Sequence, residues 1–427
     1  MQPRAFFAFV TLLFAPLALV HAADSPARPG SPSFASFDEM TRAVDPALPP
    51  IRAVTHGPKF HWFGYYDKFQ LDPTNRYLLC AEVDFEHRLP TADDAVAVGM
   101  VDLADGDRWI ELGRSHAWSW QQGCMLQWRP GSDREILWND REGDRFVCRV
   151  LDLKTRKTRS LPMAIEHVSP DGRYAACGNF SRIFTIRAGY GYPGAADPYA
   201  DRMAPAEIGV WRMDLDSGQT RMLVSLADVV KVPYDNSQPG HKHYINHLAW
   251  SPDGKRVSLF HRWAGTPGQP TRVFTIGADG RDLRLLSAHG ASHWVWRDPQ
   301  HMLIWAEGAY RLYKDDGSGE PKETLWTSPA NGHQSYIPGT NNEWLVTDTY
   351  PQGKKREQIV HMFHLPTRRF VLLGRFASKY SGEWRCDTHP RVSRDGRLVI
   401  IDSPHGGNGR QQYVIDIGRI LDAPPTP

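Results

Sequence analysis

The chain has 427 residues, and its 50 basic and 48 acidic side chains leave a formal net charge of only +2. No overall field argues for nucleic acid, and affinity for an anion has to come from locally placed cations. Five cysteines are too few for a disulfide scaffold, and their odd number leaves at least one unpaired.

The first segment, MQPRAFFAFVTLLFAPLALVHAAD, carries Arg4, an apolar run from Ala5 to Val20 broken by Pro16, and small residues at Ala22 and Ala23. That order of features predicts a signal peptide over residues 1–23 and a periplasmic or secreted protein. No later stretch reaches the ~20 apolar residues of a membrane span, so no stable membrane insertion is expected. A Pro- and Ser-rich leader over residues 24–50 follows, then one repetitive region over 51–420 and a short tail over 421–427.

Within that region a turn followed by an apolar strand recurs as LDPTNRYLLC, RPGSDREILW, SPDGRYAACG, SPDGKRVSLF, RDPQHMLIWA, PGTNNEWLVT and SRDGRLVIID. Most copies are followed by a second strand ending in an aspartate-bearing turn, such as WRMDLDSG or VFTIGADG. Seven strand-rich units at spacings of roughly 40 to 80 residues predict an all-β, seven-bladed β-propeller, a fold in which radial repetition leaves few exposed edges. Pro73, Pro170, Pro252 and Asp395 punctuate blades. The longest interruption, residues 181–245, predicts a loop that walls or covers one mouth of the propeller.

Directly after it stands HKHYINHLAWSPDGKRVSLFHRW. The pattern predicts an innermost strand over 243–250, a tight turn, and a second strand over 256–262 returning to the same end of the blade. That folding brings Tyr244, His247 and Arg262 to one mouth, with His243 and Asn246 on the same strand. Imidazole and phenol suit proton transfer, and guanidinium grips a carboxylate bidentately. Together they suit β-elimination next to a uronic acid, which needs the carboxylate neutralised, a base for the C5 proton and an acid for the leaving oxygen.

A second set lies further on. ASHWVW, NGHQSYIPG and RCDTHPRVS place His293, His333, Cys386 and His389 just before the inner strands of consecutive blades. Imidazoles with a thiolate suit a divalent metal, Zn²⁺ first and Mn²⁺ or Ca²⁺ as other choices. Gln334 and Asp387 are possible oxygen partners, and His405 is an ordinary turn residue.

The phrases FHWFGYYDKFQLDP, QQGCMLQW, HYINHLAWSPDG, GHQSYIPG, DTHPRVSRDG, VTDTYP and VIIDSPHGG resemble those of propeller polysaccharide lyases, the oligogalacturonate, ulvan and rhamnose-glucuronate lyases. The resemblance covers about residues 55 to 416. It implies a seven-bladed fold, eliminative cleavage of an anionic polysaccharide or oligosaccharide, His, Tyr and Arg in the site, and a metal held largely by His. Arg262 then neutralises the carboxylate, Tyr244 or His247 is acid or base, His167 supplies a second imidazole, and Asn139 stands where some ulvan-type relatives have His. The competing reading is a non-catalytic TolB-like periplasmic propeller that binds protein or glycan. In either case a monomer is expected.

Overall fold

The computed structural model describes residues 48–234, 240–264, 270–328 and 330–423. The expected signal peptide and nearly all of the expected leader lie outside these residues, as does the end of the tail. Seven four-stranded antiparallel sheets are arranged as the blades of a β-propeller. Six are meanders of consecutive strands, from Phe60–Trp62 through Arg108–Ser115 in the first to Ser335–Tyr336 through Arg369–Ala377 in the sixth.

The seventh blade closes the ring. Its inner three strands, Arg391–Val392, Leu398–Ser403 and Gln411–Asp416, come from the C-terminal end, and its fourth is Ile51–Ala53, paired in the register Ile51↔Ile415. Joining the two ends of the chain in one sheet ties the ring shut, with Ile51–Ala53 as the short outermost strand.

Each blade packs on both faces against its neighbours, so its middle strands read as nearly continuous apolar runs. Val96–Asp102 is buried at every position, whereas the outermost strand of the same blade, Arg108–Ser115, is buried only at its end. The recurring turns are built alike: Ser169, Ser251 and Ser393 hydroxyls donate to Asp171, Asp253 and Asp395. Gly172 and Gly396 have φ of 71° and 73° and press against the carbonyls of Pro130 and Pro338 in the preceding blade, where a side chain has no room.

Residues 181–245 are not the plain loop that the sequence predicts. They contain most of a helix, Phe180–Ile186, the two outer strands of the third blade, Gly209–Asp214 and Thr220–Ser225, and a second short helix, Leu226–Lys231. The part between the first helix and Gly209 is an excursion from the blade. Arg182, 1% exposed, pins it by pairing with Asp197 at 3.0 Å and donating to the carbonyls of Tyr199, Arg202, Met203 and His243. No described helix is long and apolar enough to cross a membrane.

The closure carries a buried ion pair. Arg391 in the last blade donates to both oxygens of Asp402 and to Gln70 Oε1 in the first, and Asp402 also accepts from Phe63 N–H and Gln412. Arg391→Met strands a buried carboxylate, which costs about 3–5 kcal/mol. The expected result is a large drop in the thermal midpoint, and the added change Asp402→Asn should recover a substantial part of it.

Candidate functional site

The inner strands converge on the axis, and their starts carry most of the polar chemistry of the molecule. The hairpin forms as expected, from His243–Trp250 and Arg256–Trp263, with Tyr244 opposite Arg262. A bulge between Asn246 and Ala249 shifts the register, and His247 takes a φ of 55°. Glu166 Oε2 accepts from Leu248 N–H at 2.9 Å and holds the bulge. Met125 and His389, with φ of 55° and 41°, occupy the same offset before their own turns, so a left-handed residue recurs where blades meet the axis. Such conformations are costly for residues other than glycine and concentrate at functional sites.

The bulge aims the His247 ring at the centre. It stacks on Tyr65 at 5.0 Å, lies 4.9 Å from Trp294, and meets Gln122 Nε2 through Nδ1 at 3.2 Å. Burial, followed by the fields of Arg262 and Arg187, holds its pKa well below the ordinary 6.5, so the imidazole is neutral at neutral pH. Arg262, 6% exposed, donates through Nε to Thr271. Arg187 lies over the Tyr190 ring at 3.7 Å, and its buried Nε has no partner among the described residues. Arg385 binds Asp387 at 2.8 Å and the Tyr190 hydroxyl at 2.7 Å. This mouth therefore combines guanidinium groups, phenols and a neutral imidazole.

The metal set differs from the one the sequence suggests. His333, Asp387 and His389 present ligand atoms within 4.8 Å of one another, all buried. His333 Nε2, His389 Nε2 and Asp387 Oδ1 have no hydrogen-bond partner among the described residues. Asp348 accepts from His333 Nδ1 at 2.8 Å and from the backbone N–H of both His333 and His389, fixing the His333 tautomer that turns Nε2 toward the gap. Burial keeps His333 neutral, down to about 3, and lowers His389 as well. Two neutral imidazoles and a carboxylate with their lone pairs unused fit a divalent ion of the Mn²⁺ or Zn²⁺ type. Cys386 does not join them: its thiol is buried, and burial pushes its pKa far up, so it stays protonated. Asp387, the adjacent residue, supplies the third ligand atom instead. The His293 ring lies 4.0 Å from His333, its Nδ1 held by Asn331 at 2.8 Å and its Nε2 3.5 Å from the Tyr350 hydroxyl.

Other expected residues are placed apart. Asn139 is wholly buried and its amide is spent inside the protein, on Ile165 N–H and C=O and on Tyr192. It ties blades together and is not free to bind substrate. His243 is buried against His261, Nδ1 to Nε2 at 3.0 Å, on the outer side of the hairpin's start. His167 accepts from Trp250 N–H at 3.4 Å and lines a cavity at the turn end of the inner strands, away from Arg262. Tyr244, by contrast, is not set apart: it is 2% exposed, as Tyr65 is in the same core cluster, and its phenol contributes to the field at Arg187, while both side-chain polar atoms of Asn246 are buried and unpartnered among the described residues. Sequence reasoning assigned no role to Tyr65, Tyr66, Arg187, Tyr190, Tyr350 or Arg385, which complete the axial cluster. Tyr65 and Tyr66 are carried by the phrase FGYYDK, and a doubled tyrosine beside a glycine with φ of 126° is the signal that was available.

No family model matches the sequence, and no curated protein matches it either. Solved structures do. An oligogalacturonate lyase from Vibrio parahaemolyticus superposes with a TM-score of 0.61 at 12% identity, over 88% of this chain and 95% of that one. An oligogalacturonate lyase in complex with manganese gives 0.62 at 12%, over 87% and 94%. At this identity the likeness shows a shared propeller fold. A prolyl endopeptidase also matches, with a TM-score of 0.50 at 12% identity, over 86% of this chain but 49% of its own.

The donor set makes a direct prediction. Mn²⁺ or Zn²⁺ added to metal-stripped protein at 100 times its Kd should stabilise the fold by about 2.7 kcal/mol. His389→Ala should abolish the rise in thermal midpoint, and Cys386→Ser should retain it.

Proposed function

We propose that the chain is a metal-assisted polysaccharide lyase that cleaves a uronate-containing glycan by β-elimination at the arginine-lined mouth. The observation that carries this reading is a neutral, buried imidazole, His247, set between guanidinium groups and a cluster of unused metal-ligand atoms. The near full-length likeness to oligogalacturonate lyases, one of them in complex with manganese, supports it.

In this reading Arg262 and Arg187 bind the uronate carboxylate. His333, His389 and Asp387 would hold the metal, which when bound would add positive charge that favours loss of the C5 proton. The neutral His247 ring takes the C5 proton through Nε2. That role requires Gln122 to accept from Nδ1–H through Oε1, an atom that otherwise lacks a partner among the described residues. The electron pair left at C5 forms the C4–C5 double bond, the C4–O bond breaks, and no water is consumed. Tyr65, stacked on His247 with a buried hydroxyl that has no described partner, donates a proton to the departing oxygen. Its pKa is raised by burial, so it carries that proton at neutral pH.

The test follows the ultraviolet absorbance of an unsaturated uronate while purified, metal-supplied protein is incubated with pectic, ulvan-type, glucuronan-type and rhamnose-glucuronate substrates. A rise on one of these is expected, and Arg262→Ala or His247→Ala should lower it by about 10²-fold or more. Tyr65→Phe should cost far more than Tyr244→Phe. No rise on any substrate with folded, metal-loaded protein contradicts the reading and leaves a binding propeller.

The pH dependence has a definite sign. A base works in its neutral form, and the pKa of His247 lies below 6.5, so the acidic limb of kcat/KM should fall below pH 6.5. Arg262→Met removes one cause of the lowering, and the limb should move up toward that value.

A further inference from the structure

The sixth blade sends two connections to the arginine-lined mouth. The first leaves its second strand after Thr347 and passes the metal-ligand cluster: Asp348 holds His333 and His389, the Tyr350 hydroxyl lies 3.5 Å from His293 Nε2, and Arg385 stands 5.6 Å from the Tyr350 ring. It then runs outward into a tip of sequence GKKR, residues 353–356. Gln352 and Glu357 close the tip by exchanging backbone hydrogen bonds at 2.8 and 3.0 Å, and Arg356 N–H donates to the Gly353 carbonyl. The second connection follows Arg369–Ala377 and carries Lys379 on its way to Arg385. Ser378 N–H donates to the Arg356 carbonyl at 2.9 Å, so the two connections lie side by side at the rim.

Lys354, Lys355, Arg356 and Lys379 are exposed, and none has an ion pair among the described residues. The acids of the same two connections are already engaged. Asp348 accepts from His333 and His389, Glu357 faces Arg375 at 3.7 Å, Glu383 accepts from Gly189 N–H at 2.8 Å, and Asp387 binds Arg385. On a chain whose net charge is only +2, this rim is a local excess of positive charge, and it leads into the mouth through Tyr350 and Arg385. Water and salt screen each exposed cation, so a lone anion gains little from any one of them. A chain that carries charge at regular intervals meets several at once.

The geometry points to an extended subsite on the sixth blade, where these four cations bind the carboxylates of uronate units beyond the one that reacts. The class of ligand rests on the lyase reading, whereas the positive surface does not. It follows that glycans with consecutive uronates are preferred over those in which uronates alternate with neutral sugars. Chains long enough to cross the rim are preferred over single units. The four cations stand outside the axial cluster, so they act on encounter and affinity and leave the chemical step alone.

The experiment compares His247→Ala protein, in which turnover is blocked, with the same protein carrying Lys354→Gln, Lys355→Gln and Lys379→Gln. Each is titrated calorimetrically with methyl uronides, with tetrasaccharides of galacturonate and of glucuronate, and with a neutral tetrasaccharide. The triple change should weaken binding of a charged tetrasaccharide about tenfold at low salt and leave the methyl uronides unchanged. The difference should vanish at about 1 M salt, where the Debye length is about 3 Å. With His247 restored, the triple change should raise KM on long chains and leave kcat and the thermal midpoint as they are. The proposal is overturned if folded protein binds no charged tetrasaccharide, if the lysines make no difference, or if the neutral tetrasaccharide loses as much. An equal loss on a sulfated glycan or a single-stranded oligonucleotide also overturns it, since that marks a general polyanion surface. Lysine-dependent binding of uronate chains without elimination on any substrate removes the lyase reading and leaves this subsite standing. Elimination with binding indifferent to the lysines does the reverse.

Discussion

Everything that makes this molecule chemically interesting depends on one constraint, the convergence of seven inner strands on a common axis. A strand start is an ordinary place for a histidine, but seven strand starts in a ring put residues from 65 to 389 within contact of one another. Tyr65 touches His247, His333 and His389 at ring distances of 5.0, 5.9 and 5.0 Å. The ring has to close for these distances to exist, and closure rests on Ile51–Ala53 pairing with Gln411–Asp416 and on the buried Arg391–Asp402 pair. Fold stability and site assembly are thus the same requirement.

Convergence also produces the electrostatic character of the site. Crowding buries imidazoles, phenols and guanidiniums together, and burial disfavours the charged form of an imidazole. His247, His293, His333 and His389 are accordingly all driven toward neutrality. Neutral imidazoles are what a general base and a metal ligand both need. The unused lone pairs on His333, His389 and Asp387 are expensive to leave buried without a partner, and a divalent ion at this candidate site would supply one.

Much of this was legible in the chain. The turn motifs are local and repeat, so the seven blades and the hairpin around Ser251–Asp253 can be read from spacing alone. The blade-internal register of Tyr244 and Arg262 follows from a short turn. What spacing does not reveal is which side chain of a strand start faces the axis, because a bulge decides it: His247 reaches the centre through its left-handed backbone. The same limit explains the metal set. Cys386 and Asp387 are neighbours whose side chains leave the backbone in different directions, and only the carboxylate arrives beside His333 and His389. Asn139 shows a further limit, since a polar residue in a strand can be consumed by contacts between blades that no local pattern announces.

The most direct test of this account is a crystal structure of the protein soaked with Mn²⁺ and a uronate oligosaccharide, with anomalous data recorded for the metal. The account predicts an anomalous peak among His333 Nε2, His389 Nε2 and Asp387, with a carboxylate beside Arg262 and its C5 facing His247. Metal bound elsewhere, or an occupied sugar whose carboxylate avoids the arginine-lined mouth, would contradict it.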